Sequence, residues 1–276
     1  MDLEHYQLLR QDILDAQDKR PVLNKDSDTM TVLLREGEEL KTVPNPDGKR
    51  SRFRAKFSTN TIGELVPYLE LHGASGATGF VGSGSQLSCQ FVINMGTLAA
   101  PGHADHTATA VLERTPEFAA ILAINGKKMT QRDMAEWLED WAYMLDPRDG
   151  NKYPIGYDTA ALISLVREFT VAKKGETTAA VGNVAVSRSA MEEVEAKAKR
   201  PFPGYVCAAL KPYSELTERY FYLRFAILPE AADGPLLCLR IVGLEQAAKQ
   251  IADEFAQAVR EKLPLATVIN GSFQAI

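Results

Sequence analysis

The segment PGHADHTA brings two imidazoles and a carboxylate close together in the chain, at His103, Asp105 and His106. In an extended strand His103 and Asp105 share one face and His106 lies on the other, because side chains alternate. Two imidazoles and a carboxylate could form part of a metal site. The other histidines, His5 and His72, lie in no metal motif, so a third ligand would have to be a carboxylate. We expect no metal cofactor and treat the three residues as candidates for contact with a ligand or partner, with a metal-dependent hydrolase as an alternative.

A second candidate set lies in MTQRDMAEWLEDWAYML, which predicts an amphipathic helix with Thr130 as its N-cap. Its polar candidates are Gln131, Glu136 and Asp140, and the two carboxylates lie four residues apart on one face. Paired carboxylates can bind a cation or share a proton, although they are more often the solvated side of a helix. The tryptophans of the opposite face predict either a core contact or a subunit interface.

The stretch GASGATGFVGSGS, residues 73–85, has the glycines of a dinucleotide-binding turn. Such a turn must follow the first strand of its domain and open a helix. Here the preceding residues predict a helix, capped by Ser58 or Thr59, and the following QLSCQFVINMG predicts a strand. We therefore predict a glycine-rich hairpin and no nucleotide cofactor. The sequence also has no serine nucleophile elbow, P-loop, HExxH or CxxC motif, which favours binding over catalysis.

Bulk composition is ordinary for a globular protein, with 276 residues, 45% apolar and 24% charged. The net charge of −5 and the pI near 5.5 disfavour a broad nucleic-acid surface but leave room for a local basic patch. Three dispersed cysteines fit a reducing compartment. Because the N-terminus is charged, we expect no signal peptide. Because no apolar run reaches about 20 residues, we expect no membrane span.

Predicted strands alternate with a few helices without strict βαβ order, which favours an α+β fold with mixed, mostly antiparallel sheets. The C-terminal region predicts a β-β-α-β unit, in which RYFYLRFAIL and PLLCLRIVG form a hairpin, LEQAAKQIADEFAQAVREKL a helix and LATVINGSF a last strand. We expect an N-terminal helical arm over 1–28, an α+β domain over 29–172 and a second over 173–276. One continuous domain is the alternative to the last two.

Several segments resemble, in order, the YfdQ-like family of phage and prophage proteins. DHTATAVLERTPEF matches the family's strand and the turn that ends it, through His106, Thr115, Pro116 and Glu117. NGKKMTQRDMAEWLED matches the helix that follows, and segments from PFPGYVCAALKPY to TVINGSF match the C-terminal half. Phe118 stands where members of the family often have tryptophan. The resemblance extends from about residue 20 to the end of the chain.

The resemblance implies a phage early accessory protein, and no enzymatic activity comes with it. We expect a homo-oligomer that acts by binding in the host cytoplasm, most concretely a counter-defence protein that inhibits or sequesters a host defence factor or its nucleotide signal. The alternatives are an accessory factor in phage DNA recombination or replication, whose contact with DNA the acidic net charge disfavours, and the metal-dependent hydrolase.

Overall fold

A computed structural model describes residues 53–73, 76–83, 86–168, 200–228 and 235–274, together with the backbone of three strands nearer the N-terminus. The chain divides into two compact units, Met1–Lys56 and Phe57–Ile276. In the first unit, three short strands form an antiparallel sheet in chain order: β1 (Val22–Asn24), β2 (Thr29–Val32) and β3 (Lys41–Pro44). Residues 1–21, where most of the predicted helical arm falls, lie outside the described residues.

Sheet I is the first of two five-stranded sheets and has the strand order β13-β5-β6-β7-β4. Strands β5, β6 and β7 are consecutive antiparallel neighbours, whereas β13 adds to β5 in parallel. The strands are β4 (Ala55–Thr59), β5 (Thr78–Ser83), β6 (Leu87–Val92), β7 (His106–Val111) and β13 (Thr267–Asn270).

Sheet II is wholly antiparallel and has the order β8-β12-β11-β10-β9. Its strands are β8 (Lys128–Met129), β9 (Leu145–Arg148), β10 (Tyr205–Leu210), β11 (Arg219–Leu228) and β12 (Leu236–Ile241). Strands from both sides of the predicted boundary at 172–173 therefore pair in one sheet. The boundary itself lies in 169–199, outside the described residues.

Five helices of the described chain pack on these sheets: α1 (Ile62–His72), α2 (Pro116–Ile124), α3 (Gln131–Asp140), α4 (Thr159–Glu168) and α5 (Leu244–Lys262). Helices α1 and α5 contact strands of sheet I, whereas α2, α3 and α4 contact strands of sheet II. One hydrophobic cluster connects the layers, with Phe91 from sheet I, Phe225 from sheet II and Phe255 from α5 all fully buried. The fold is α+β, as predicted, with two five-stranded sheets and helices packed on each.

Local signals explain the helix ends. Thr130 caps α3 as predicted, its hydroxyl accepting from the amide of Asp133 at 3.1 Å. The prediction that Ser58 or Thr59 caps α1 is wrong, because Thr61 accepts from Glu64 N and the preceding residues belong to β4. Helix α1 ends at Gly73, whose φ of 103° favours glycine.

The glycine-rich stretch forms the predicted hairpin. Strands β5 and β6 pair in antiparallel register and no helix follows β5, so the segment lacks the strand-turn-helix geometry of a dinucleotide site. Gly79 is required for a packing reason, because a Cβ there would lie 2.4 Å from the ring of Phe91. The C-terminal β-β-α-β prediction is also confirmed, by β11, β12, α5 and β13. No helix within the described ranges is both long and apolar enough to cross a membrane.

Candidate functional site

His106, the first residue of β7, is buried against helix α1. Its Nε2 lies 3.0 Å from the hydroxyl of Tyr68, and its ring meets that of His72 edge-on with 5.1 Å between centroids. Burial lowers the pKa of His106, the nearby His72 lowers it further, and Asp105 acts in the opposite direction. Burial also raises the pKa of Tyr68. A neutral imidazole whose Nε2 accepts a hydrogen bond from the Tyr68 hydroxyl satisfies both groups.

Asp105 closes the loop that precedes β7. The Asn94 side-chain amide donates to Asp105 Oδ1 at 2.7 Å, and its carbonyl oxygen accepts from His106 N at 3.0 Å. The loop is tight enough that a Cβ on Gly102 would lie 2.0 Å from the backbone carbonyl oxygen of Asn94. His103, in the same loop, is exposed. Asp105 and His106 therefore shape this loop, and His103 projects from it.

The candidates on α3 lie along its exposed and partly exposed side. Gln131 donates to the carbonyl of Val166 at 2.9 Å, near the end of α4. Glu136 pairs with Arg132 at 2.8 Å, with both side chains more than half exposed, and Asp140 is exposed. An open groove of ≈ 350 Å³ runs beside them, lined by Gln131, Arg132, Ala135, Glu136 and Arg167. Glu136 and Asp140 thus form the solvated side of the helix, while Trp137 and Trp141 pack against the core.

The two predicted sets lie on different layers of the fold. Strand β7 packs on α1, whereas α3 packs on α4, β8 and β12. Among the residues described, no three His, Cys, Asp or Glu side chains come together in a group that could hold a metal ion. Neither set, in the described part of the chain, offers the converging donors that a metal-dependent hydrolase needs.

The face of sheet II that points away from the core carries a different kind of chemistry. Along β11 the even-numbered positions alternate with the buried Phe221, Leu223 and Phe225, and Tyr220 is 66% exposed. We call this the outer face of sheet II. Cross-strand register brings to it Lys128, Asp146, Arg148, Tyr205, Cys207, Tyr220, Tyr222, Arg224, Cys238 and Arg240.

A row of cationic and aromatic side chains crosses the outer face at right angles to the strands. Arg240 on β12 lies opposite Arg224 on β11, and Arg224 lies opposite Tyr205 on β10. Tyr205 in turn lies opposite Arg148 on β9. Arg148 pairs with Asp146, two residues earlier on the same strand. Within the described chain, the side chains of Arg224 and Arg240 form no hydrogen bond or ion pair.

Tyr205 of this row and the neighbouring Tyr222 form a recess. The rings of Tyr205 and Tyr222 meet edge-on at 87°, with 6.4 Å between centroids. The ammonium of Lys152 sits over both, 4.7 Å from the Tyr222 centroid and 5.6 Å from that of Tyr205. We call this the ring recess. Its arrangement is a cation–π contact at the surface, worth about 0.5–1 kcal/mol.

The loop after β9 places Lys152 over the rings. Asp149 Oδ1 accepts from the amides of Asn151 and Tyr153, each at 2.8 Å. Lys152 has the left-handed φ of 69°, which turns the chain back toward the sheet. Gly204 lets the loop approach, since a Cβ there would lie 2.7 Å from the Cα of Gly150.

The outer face is strongly cationic in an acidic protein. Its strands supply Lys128, Arg148, Arg224 and Arg240 against the single carboxylate of Asp146, and the loop adds Lys152. The chain as a whole carries −5. Sequence reasoning missed this surface, although the alternation of Tyr220, Tyr222 and Arg224 within a correctly predicted strand was a usable signal.

The described architecture is that of an α+β protein with two five-stranded sheets, one of which has a tyrosine–arginine outer face. The chain belongs to the family described as an uncharacterized conserved protein, DUF2303, whose profile matches residues 4–273. No curated protein and no solved structure matches it. The family description carries no activity, and the resemblance to the YfdQ-like family stays a prediction.

Proposed function

We propose that the protein binds single-stranded nucleic acid on the outer face of sheet II and acts by binding. The proposal depends on one observation, the row Arg240–Arg224–Tyr205–Arg148 and the ring recess that Tyr205 forms with Tyr222. Proteins that bind single strands combine cationic groups along the backbone with aromatic rings on which bases stack. An exposed antiparallel sheet with surface aromatics is one established platform for this.

The shape of the face favours a polymer over a small molecule. Strands of a sheet lie about 4.8 Å apart, so a row across four strands spans roughly 14 Å. This length exceeds that of one nucleotide, so the row can meet more than one phosphate of a single strand. Small-molecule sites are usually concave and enclosed, whereas Tyr220 and Arg224 lie on an open surface.

The unpaired arginines support an anionic ligand. Like charges directly opposite each other in an antiparallel pair destabilise the sheet by roughly 0.2–1 kcal/mol. Arg224 and Arg240 lie directly opposite each other. Within the described residues, no carboxylate forms an ion pair with either guanidinium group to offset this repulsion. A phosphate between the two guanidinium groups would remove this cost through charge-assisted hydrogen bonds.

The proposal corresponds to an accessory role in phage DNA recombination or replication. It is compatible with the acidic net charge because the cations concentrate on one face. Sequestration of a host defence factor or its nucleotide signal stays a prediction, as do a homo-oligomeric state and a location in the host cytoplasm. A free nucleotide offers the same base and phosphate chemistry, so the experiment must separate the two sources.

Fluorescence anisotropy with a labelled oligothymidylate of about ten nucleotides tests the proposal, since single-strand sites commonly span roughly 4–16 nucleotides. We expect Tyr222→Ala to weaken binding by about 1–3 kcal/mol, the usual contribution of one stacked base. Arg224→Ser should lower the slope of log affinity against log salt by about one. Matched controls are Tyr143→Ala and Arg132→Ser, because both side chains are exposed and bind helix residues, Glu117 of α2 and Glu136 of α3.

The outcomes separate the candidate ligands. Absence of binding at low salt, or equal losses in the control variants, would contradict the proposal. Binding of cyclic dinucleotides with no binding of the oligonucleotide would instead favour the nucleotide-signal hypothesis. Duplex DNA of the same sequence should bind more weakly, because its bases are not free to stack on tyrosine.

Cys238 reports where the ligand sits. It lies on the outer face and is partly exposed, whereas Cys89 and Cys207 are buried. Burial raises the pKa of the Cys238 thiol, so alkylation is best followed at alkaline pH, where more of the thiolate is present. Bound oligonucleotide should slow alkylation of Cys238. Binding without this protection would place the ligand elsewhere.

A further inference from the structure

We infer that Lys152 is a specificity-determining residue of the outer face. Its ammonium occupies the ring recess when no ligand is bound. When a base binds there, the ammonium leaves the recess and contacts the adjoining phosphate. The inference rests on the proposed function and adds a selection rule to it. The site would accept a base that carries a neighbouring phosphate and would discriminate against an uncharged chain of the same bases.

The geometry places the ammonium where a stacked base would lie. Stacked aromatic rings have centroids about 4.5–7 Å apart. The Nζ of Lys152 is 4.7 Å from the centroid of Tyr222 and 5.6 Å from that of Tyr205. A base stacked on Tyr222 from the side on which Lys152 lies would fill the volume that the ammonium occupies. Base and ammonium cannot share the ring recess.

Lys152 is held in place weakly enough to move. Within the described residues its side chain forms no ion pair. Its contact with the rings favours the ammonium in the recess over the ammonium in solvent by about two- to fivefold. Its ammonium lies at the end of a flexible four-carbon stem. The loop backbone, in contrast, is fixed by the two amides that donate to Asp149 and by the close approach of Gly150 to Gly204. The displaced ammonium therefore stays close to the recess.

Displacement makes an uncharged ligand and a charged ligand respond differently to Lys152. A neutral oligomer must expel the ammonium and gains no new contact with it. An oligonucleotide also expels the ammonium but offers it a phosphate. The charge of Lys152 therefore contributes to the affinity for the oligonucleotide and to the salt dependence of that affinity. Lys152 therefore raises the affinity for one class and lowers it for the other.

The test compares an oligothymidylate with a thymine peptide nucleic acid of the same length, which has an uncharged backbone. Full-length wild-type protein, Lys152→Ala and Lys152→Arg are titrated with both, and Lys249→Ala on α5 serves as the control for loss of one exposed charge. We expect Lys152→Ala to bind the oligothymidylate about three- to tenfold more weakly, with a salt slope lower by about one. The same variant should bind the peptide nucleic acid about two- to fivefold more tightly. Lys152→Arg should retain the wild-type order.

The opposite signs of the two effects make the inference falsifiable. Parallel weakening of both ligands would assign Lys152 a purely structural role and overturn the inference. No change for either ligand would overturn it as well, and both results would leave the proposed function intact. If the wild-type protein bound neither ligand, the proposed function would fail and the inference with it.

Discussion

Sheets I and II have five strands each and share one hydrophobic core, yet their outward-facing residues have different chemistry. In strands β5, β6 and β7 of sheet I, no Lys, Arg, Asp or Glu occurs. The residues that alternate with the core there are neutral, such as Thr78, Phe80 and Gln90. Sheet II places three arginines, a lysine and three tyrosines in the corresponding positions.

The comparison shows what the architecture itself requires. Both sheets meet the core through alternating apolar residues, and strands β5, β6 and β7 of sheet I do so with uncharged side chains on their other surface. The cations of sheet II are therefore not needed to form a sheet of this kind. They add repulsion between Arg224 and Arg240, which lie directly opposite each other and so cost stability. This difference is the main reason to place function on sheet II.

The largest effect should come from the core side of sheet I. Phe91→Ala removes a fully buried ring that fills the space beside Gly79, and we expect a loss of about 3–5 kcal/mol in the free energy of unfolding. Tyr220→Ala, on the outer face of sheet II, should change it by no more than about 0.5 kcal/mol. Urea unfolding followed by circular dichroism measures both. A comparable loss in Tyr220→Ala would mean that the outer face is packed rather than open.

An intermediate effect should come from the carboxylate that ties the turn before β11 to the helices of sheet I. Glu215 accepts from the amides of Ile62 and Gly63 at 2.5 and 3.0 Å and pairs with Lys262 at 2.9 Å. We expect Glu215→Gln to cost about 1.5–3 kcal/mol, the usual range for hydrogen bonds to a charged group. Glu64→Gln, in the first turn of the same helix, is the exposed control.

The same residue predicts a pH dependence. Burial alone would raise the pKa of Glu215, but Lys262 and the two amides outweigh it and lower the pKa below its usual value. The stabilisation is therefore present above the unfolded-state pKa and is lost as pH falls through the lower folded-state pKa. Acid unfolding of wild-type and Glu215→Gln should converge at low pH. Parallel curves down to low pH would contradict this assignment.

The elements that sequence predicted well are those with local signals. Thr130 before an amphipathic run fixed the start of α3, and the glycines followed by QLSCQFV indicated the hairpin β5–β6. Helix α2 was missed because PEFAAILAI is apolar on almost every side, although Thr115 followed by proline is a start signal.

Beyond the alternation within β11, the outer face of sheet II could not be predicted because it depends on pairing between distant segments. Arg148 reaches Tyr205 only through the β9–β10 register, and Lys152 reaches Tyr222 from a loop with no periodic pattern. Net charge concealed the patch, since a sum over the chain does not show where the cations lie. The histidine candidates were visible because they are adjacent in sequence, and His106 is buried against Tyr68.

The smallest effect has the opposite sign and bears most directly on the difference between the sheets. Arg224→Thr replaces one of two opposing cations with a residue that favours strands, and we expect unfolding to become harder by about 0.2–1 kcal/mol while binding of oligothymidylate weakens. Some of this gain is offset by lost packing of the arginine stem. Arg240→Thr should behave alike, and the double variant should gain less than the sum of the two, because either change alone removes the repulsion. Urea unfolding at low salt measures this coupling. Strict additivity, or destabilisation by both single changes, would show that the two arginines do not repel each other measurably. The surface would then be as stable as the neutral surface of β5, β6 and β7, and the repulsion would no longer support an anionic ligand.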